Sequence, residues 1–220
     1  MISSNTLWSL VKKEFIIEFR QKSSFGGILL FIICTIFICY LSFKQILNPQ
    51  VWNSLFWIIF LFTAIITTSK SFLNEQRGRE IYNYQLYSPQ EMIFAKTFYN
   101  VFLLSSISML TLFFFAWFLG SIIEDYNLFV ANLLLCSSVF SAILTLTAGI
   151  VNKANGNFTL MAVISFPLTL PVLLICIKVG KNALLGLDWV VSQNYLMSLC
   201  LLNLIVYFLA YLLFPYLWKD

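Results

Sequence analysis

Apolar positions run unbroken through long stretches of this chain, and charge is confined to the gaps between them. Residues 23–43, 45–69, 97–123, 126–152, 154–177 and 189–218 contain no Asp, Glu, Lys or Arg. Each window is longer than the roughly 20 residues a helix needs to cross about 30 Å of hydrocarbon. A charge at the centre of a span costs about 2.5–3.5 kcal/mol on insertion, so charge-free windows are what spanning helices require. The pattern predicts an all-α integral membrane fold with six transmembrane helices, at about 25–43, 51–70, 98–120, 128–151, 158–178 and 194–217. Residues 1–220 read as a single transmembrane domain.

The polar segments differ in kind. Residues 5–22 predict an amphipathic helix lying along one membrane surface, because Leu7, Val11, Phe15 and Phe19 recur every four residues. Leu10 and Ile17 fall outside that stripe, and Glu18 sits near it. Lys12, Lys13, Arg20 and Lys22 are its candidate anchors to anionic headgroups. Between the fifth and sixth windows, GKNALLGLDWVVSQ (180–193) reads equally as a re-entrant helix with Trp189 at the interface or as an ordinary loop.

Composition confirms the membrane class. The 220 residues are 60% hydrophobic and 10% charged, against roughly 25% charged in soluble domains. Lys12, Lys13, Arg20, Lys22, Lys70, Arg77, Arg79, Lys96, Lys153 and Lys219 fall on the side of the termini; only Lys44, Lys178 and Lys181 fall opposite. The positive-inside rule then places both termini in the cytoplasm. The N-terminus lacks the short apolar core of a cleavable signal peptide. The net charge of +4 follows from this bias and calls for no nucleic acid. Cys34, Cys39, Cys136, Cys176 and Cys200 lie inside the spans and read as small packing residues.

Candidate chemistry is sparse. Histidine is absent, which removes His-based catalysis, His-ligated zinc and His-ligated haem. No carboxylates lie within the windows to relay protons or bind cations. Glu124 and Asp125 read as a solvated turn. There is no phosphate loop of the G-x-x-x-x-G-K-[ST] type, so ATP, if it drives this protein, is bound by another chain. No catalytic residue and no metal site is predicted.

Two stretches stand out against that background. Residues 71–97 are far longer than a minimal connection and hold NEQRGREIYNYQLYSP (74–89). This is either an interfacial helix anchored by its tyrosines or a docking surface for a cytoplasmic partner, with Arg77 and Arg79 offering charged hydrogen bonds. In the fifth span, Pro167 and Pro171 lie four apart, after Phe166. Each removes a backbone donor and crowds the carbonyl four residues earlier, so the helix is expected to bend or open near Val163 and Pro167. Thr169 or a neighbouring helix is expected to satisfy the freed groups. The result is a simple kink, a hinge, or an opening that lines a path. Ser105, Ser106, Ser108, Ser137, Ser138, Ser141 and Thr145 suit close packing and interhelical hydrogen bonds.

Taken together, the six spans in 220 residues, the start LWSLVKKEFIIEFRQK, the segment SFLNEQRGREIYNYQLYSPQEMIFAK and FPLTLPVLL in span five resemble the CcmB family, haem exporter protein B. That resemblance implies an ABC-2-type exporter permease without its own ATPase, in the cytochrome c maturation system. It implies a CcmA-like ATPase, CcmC-like and CcmD-like membrane subunits and a CcmE-like haem chaperone as partners, besides membrane lipids, with two copies of this chain per complex. It makes Glu75, Arg77, Arg79, Glu80 and Tyr84 the ATPase-coupling residues and haem the ligand transported or handled. The alternative within transport is a related permease exporting a lipid, polysaccharide or drug. A membrane-embedded enzyme, a secondary transporter and a scaffold fit the residues less well.

Overall fold

Charge ends each apolar window without ending each helix. The computed structural model describes residues 4–20, 22–43, 48–73, 88–153 and 158–219, and among them lie seven helices and no strand. They are α1 (Ser4–Arg20), α2 (Lys22–Phe43), α3 (Pro49–Leu73), α4 (Pro89–Leu119), α5 (Tyr126–Lys153), α6 (Phe158–Leu184) and α7 (Trp189–Lys219). Helices α2 to α7 each hold a stretch long and apolar enough to cross a membrane. Helix α6 continues through Lys178 and Lys181, beyond the expected end at 178, because long cationic side chains carry their charge to the interface while the backbone stays helical. Lys22 opens α2 instead of closing α1. Residues 71–97 are divided: 71–73 end α3, 89–97 form the first turns of α4, and 74–87 lie outside the described residues.

Local chemistry sets these boundaries. Ser88 caps α4, its Oγ accepting from Glu91 N while Ser88 N donates to Glu91 Oε2, both at 3.3 Å, with Pro89 at the first helical position. Asp125 caps α5 by accepting from Leu128 N at 3.0 Å. Helix α6 ends at Gly186, whose φ of 61° suits a residue without Cβ, and Leu187 N closes the turn on Asn182 O at 3.1 Å. Residues 180–193 are therefore a helix end, a tight turn and the start of α7; no re-entrant helix forms there.

Helix α5 is the axis of the bundle. It packs against α3, α4, α6 and α7, and 72% of its span is buried, against 11% for α7 and 17% for α2 at the periphery. Stacked and edge-on aromatic rings fill the core: Trp52, Phe56, Phe115 and Phe129 form one cluster, and Phe60 stacks on Phe140 with centroids 5.5 Å apart. Lipid tails are as apolar as these side chains, so close dispersion contact and interhelical polar bonds hold the helices together.

Helix α1 lies against α4. Leu10 and Val11 are buried with Ala95, and Phe15 meets Tyr99 and Phe102 edge-on with centroids 5.0 and 5.2 Å away. Leu10, expected outside the apolar stripe, is thus central to the buried face, because the helix turns toward a partner that the stripe alone does not reveal. Trp8, 69% exposed, points away. We call the end of the bundle that carries α1 the near end, and the end formed by residues 49–52, 120–125 and 184–189 the far end.

Candidate functional site

At the far end, side-chain donors tie helix to helix. Trp52 Nε1 donates to Gly120 O at 3.1 Å, and Asn53 Nδ2 donates to Ile177 O at 2.8 Å. Asn53 Oδ1 accepts from Trp57 Nε1 at 2.9 Å, so both ends of that buried amide are used. Asp125 does more than turn the chain. Its N–H donates to Ala183 O at 3.0 Å, and its Oδ2 accepts from Trp189 Nε1 at 2.7 Å, joining the α4–α5 connection to α6 and α7. The turn at Glu124 and Asp125 is solvent-accessible, as expected, and also acts as a clamp, with Glu124 lying over Gly186. Ser121 and Tyr126 share a further hydrogen bond within that connection.

A polar seam runs down α5. Asn132 Nδ2 donates to Cys176 O at 2.9 Å, Ser137 Oγ to Ser108 Oγ at 3.3 Å and Ser141 Oγ to Thr97 O at 2.8 Å. Asn203 Nδ2 donates to Ser138 Oγ at 2.9 Å, and Asn100 Nδ2 to Thr145 Oγ1 at 2.8 Å. Four of the serine and threonine positions singled out in the sequence thus bond between helices from α5, whereas Ser106 donates to Phe102 O within α4. The amide partners Asn53, Asn100, Asn132 and Asn203 were not singled out. Their signal was legible as an Asn inside a charge-free window, where an amide must find a partner.

At the near end, α3 and α6 are joined by a hydroxyl–thioether contact with an open groove beside it. Ser69 Oγ donates to Met161 Sδ at 3.0 Å, and Thr147 shares a 3.0 Å hydrogen bond with Ser165. Beside these contacts an open apolar groove of about 610 Å³ lies between Phe31 of α2, Phe62 and Ile66 of α3, and Val163, Phe166 and Pro167 of α6. The Thr67 and Thr68 hydroxyls, at the same level of α3, are buried without a hydrogen-bond partner among the described residues.

Pro167 and Pro171 mark the boundary between the two regimes. Helix α6 stays helical across both, so the chain does not unwind there. Thr169 Oγ1 donates to Ser165 O at 3.0 Å and to Phe166 O at 3.1 Å. It therefore serves neither of the carbonyls that the prolines free, those of Val163 and Pro167, because its side chain reaches back three and four residues. Phe166, Pro167 and Pro171 are all exposed on the flank of the bundle.

The other predicted positions are placed as follows. Glu75, Arg77, Arg79, Glu80 and Tyr84 lie outside the described residues. Lys12 is exposed on α1 and Lys13 is half-buried there, while Arg20 ends α1 and Lys22 begins α2. The anchors and the proline pair are on different helices and do not form one site. Among the described residues no three His, Cys, Asp or Glu side chains are placed to share a metal ion.

No curated protein and no solved structure matches the chain. The family model for CcmB protein matches residues 5–212, nearly the whole length. This multi-pass membrane protein belongs to the CcmB family, the membrane permease subunit of a haem-exporting ABC transporter for cytochrome c maturation.

Proposed function

We propose that this subunit converts the stroke of a separate ATPase, applied at the near end, into a swing of the near half of α6 against α3, with the far end as the fixed point. The observation that supports it most is the uneven bonding of the bundle. Asn53, Asp125, Asn132 and Trp52 bind the far ends together. At the near end, among the described residues, only the polar contact of Ser69 with Met161 joins α3 to α6, an open groove lies beside it, and two prolines lie between the two ends. Proline removes helical hydrogen bonds and softens the helix at that point.

In this reading residues 74–87 receive the ATPase, with Glu75, Arg77, Arg79, Glu80 and Tyr84 as the contact residues. The partner is a CcmA-like ATPase that supplies ATP; CcmC-like and CcmD-like subunits and a CcmE-like chaperone handle haem, and two copies of the chain assemble per complex. Both termini face the cytoplasm, which the crowding of Lys and Arg at the near end supports. Haem is managed by those partners, since this chain offers no His to ligate it.

The test is co-expression with the ATPase encoded beside it, followed by co-purification and ATP hydrolysis in membranes, with and without Arg77→Glu/Arg79→Glu. Loss of association or of coupled hydrolysis in the double variant is the expected result. Unchanged association and unchanged hydrolysis would remove residues 74–87 from the coupling path.

A further inference from the structure

We infer that the near-end groove is a binding site for one anionic phospholipid of the adjoining leaflet, with its phosphate on Lys70 and an acyl chain between α2, α3 and α6. The site is built from residues of this chain alone and does not depend on an ATPase partner. Phe62, Ile66 and Lys70 are spaced four apart on α3 and therefore share one face. Phe62 and Ile66 line the groove, so Lys70 stands one turn beyond them at its mouth. On α2 the same spacing sets Gly27 one turn beyond Phe31, another lining residue.

The mouth closes across these two helices. Lys70 Nζ lies 3.4 Å from the point where a Cβ on Gly27 would stand, so the ammonium lies against α2 at Gly27. Among the described residues no carboxylate pairs with Lys70, and its side chain is half-buried. Thr159, exposed and one turn beyond Val163 on α6, adds a hydroxyl at the same level. The wall from Lys70 to Phe62 rises about 12 Å at 1.5 Å per residue, within the roughly 15 Å of hydrocarbon in one leaflet.

Charge selects the ligand. An ammonium with no carboxylate partner among the described residues, at headgroup level over an apolar slot, fits a phosphate joined to an acyl chain, and the leaflet that the near end faces under the positive-inside rule is the one rich in anionic lipid. A zwitterionic headgroup brings its own cation beside the phosphate, which competes with Lys70 for that charge. A water-soluble phosphate leaves the groove empty.

The test is native mass spectrometry of the purified full chain with phosphatidylglycerol or phosphatidylcholine, checking each variant by circular dichroism and gel filtration. Wild type is expected to bind phosphatidylglycerol in preference. Lys70→Gln is expected to weaken that lipid about fivefold, the factor equivalent to ~1 kcal/mol per basic residue at an anionic surface. Val163→Trp, at a position 67% exposed on the groove, fills the slot without disturbing the core and is expected to weaken both lipids. Lys178→Gln, at the far end, is expected to bind as wild type. An unchanged lipid preference in Lys70→Gln, or unchanged binding in Val163→Trp, would overturn the proposal. So would competition by glycerol phosphate, which would make Lys70 a free-phosphate site. Disulfide dimers of Val163→Cys in membranes would put a second copy in the groove and overturn it equally.

Discussion

Gly180 on α6 faces Asn53 on α3 at a separation that admits no side chain. A Cβ at Gly180 would collide with Asn53 Oδ1 and stand 2.9 Å from Trp57 Nε1. The absent methyl is what lets the amide reach Ile177 O while holding Trp57. Small residues at helix crossings in membranes act in this way, letting polar groups meet across the backbone.

Gly180→Ala is therefore expected to push α3 and α6 apart at the far end. Asn53→Ala, which leaves the Trp57 Nε1 donor buried and unpaired, is expected to cost about 1–3 kcal/mol. Thermal unfolding of both variants in detergent, followed by gel filtration, measures this. Wild-type midpoints in both would remove the Asn53 junction from the account.

Asp125 bonds to three elements at once, and loss of its carboxylate is expected to loosen the ties to α5 and α7 while its backbone N–H still holds Ala183 O. Asp125→Ala loses the α5 cap, worth about 0.5–2 kcal/mol, and frees Trp189 Nε1 as well. Hydrogen exchange reads the effect locally: amides of 120–128 and 185–192 are expected to exchange faster, while those in the middle of α5 stay protected. Uniform exchange across the chain would show that the clamp is not a local one.

The α5 seam is expected to contribute in small steps. A double-mutant cycle on Asn100→Ala and Thr145→Ala should give a coupling of about 0.6 kcal/mol, and at most ~1.7, as interhelical hydrogen bonds do in membranes. Zero coupling would mean that the 2.8 Å contact does no more than fill space.

Six spans were readable from charge alone, because the cost of a buried charge acts on each helix separately. Their packing was not. Asn53 and Asn132 announce that a partner exists, yet the partners are carbonyls of Ile177 and Cys176, more than forty residues away. The buried face of α1 depends on Ala95 and Tyr99, so periodicity within 5–22 misplaced Leu10. The clamp role of Asp125 in its solvent-accessible turn is hidden because the donor, Trp189, comes from a different helix. Pro167 and Pro171 were visible as punctuation, but the sequence does not show that the bonding changes character there.

Haem titration of the purified chain is expected to leave the absorption spectrum that of free haem in the same detergent. A new absorption band lost on replacing one Tyr, Met or Cys would show that this subunit holds haem itself.

The central claim is that α6 moves at its near half while its far half stays fixed, and distances between spin labels test it most directly. In a background without native cysteines, one label pair goes on Phe98→Cys and Leu160→Cys at the near end and another on Val51→Cys and Leu187→Cys at the far end. With the ATPase bound, addition of ATP and vanadate is expected to shift the near pair and leave the far pair in place, and Pro167→Ala/Pro171→Ala is expected to suppress the shift. A near pair that does not move, or two pairs that move together, would contradict the account.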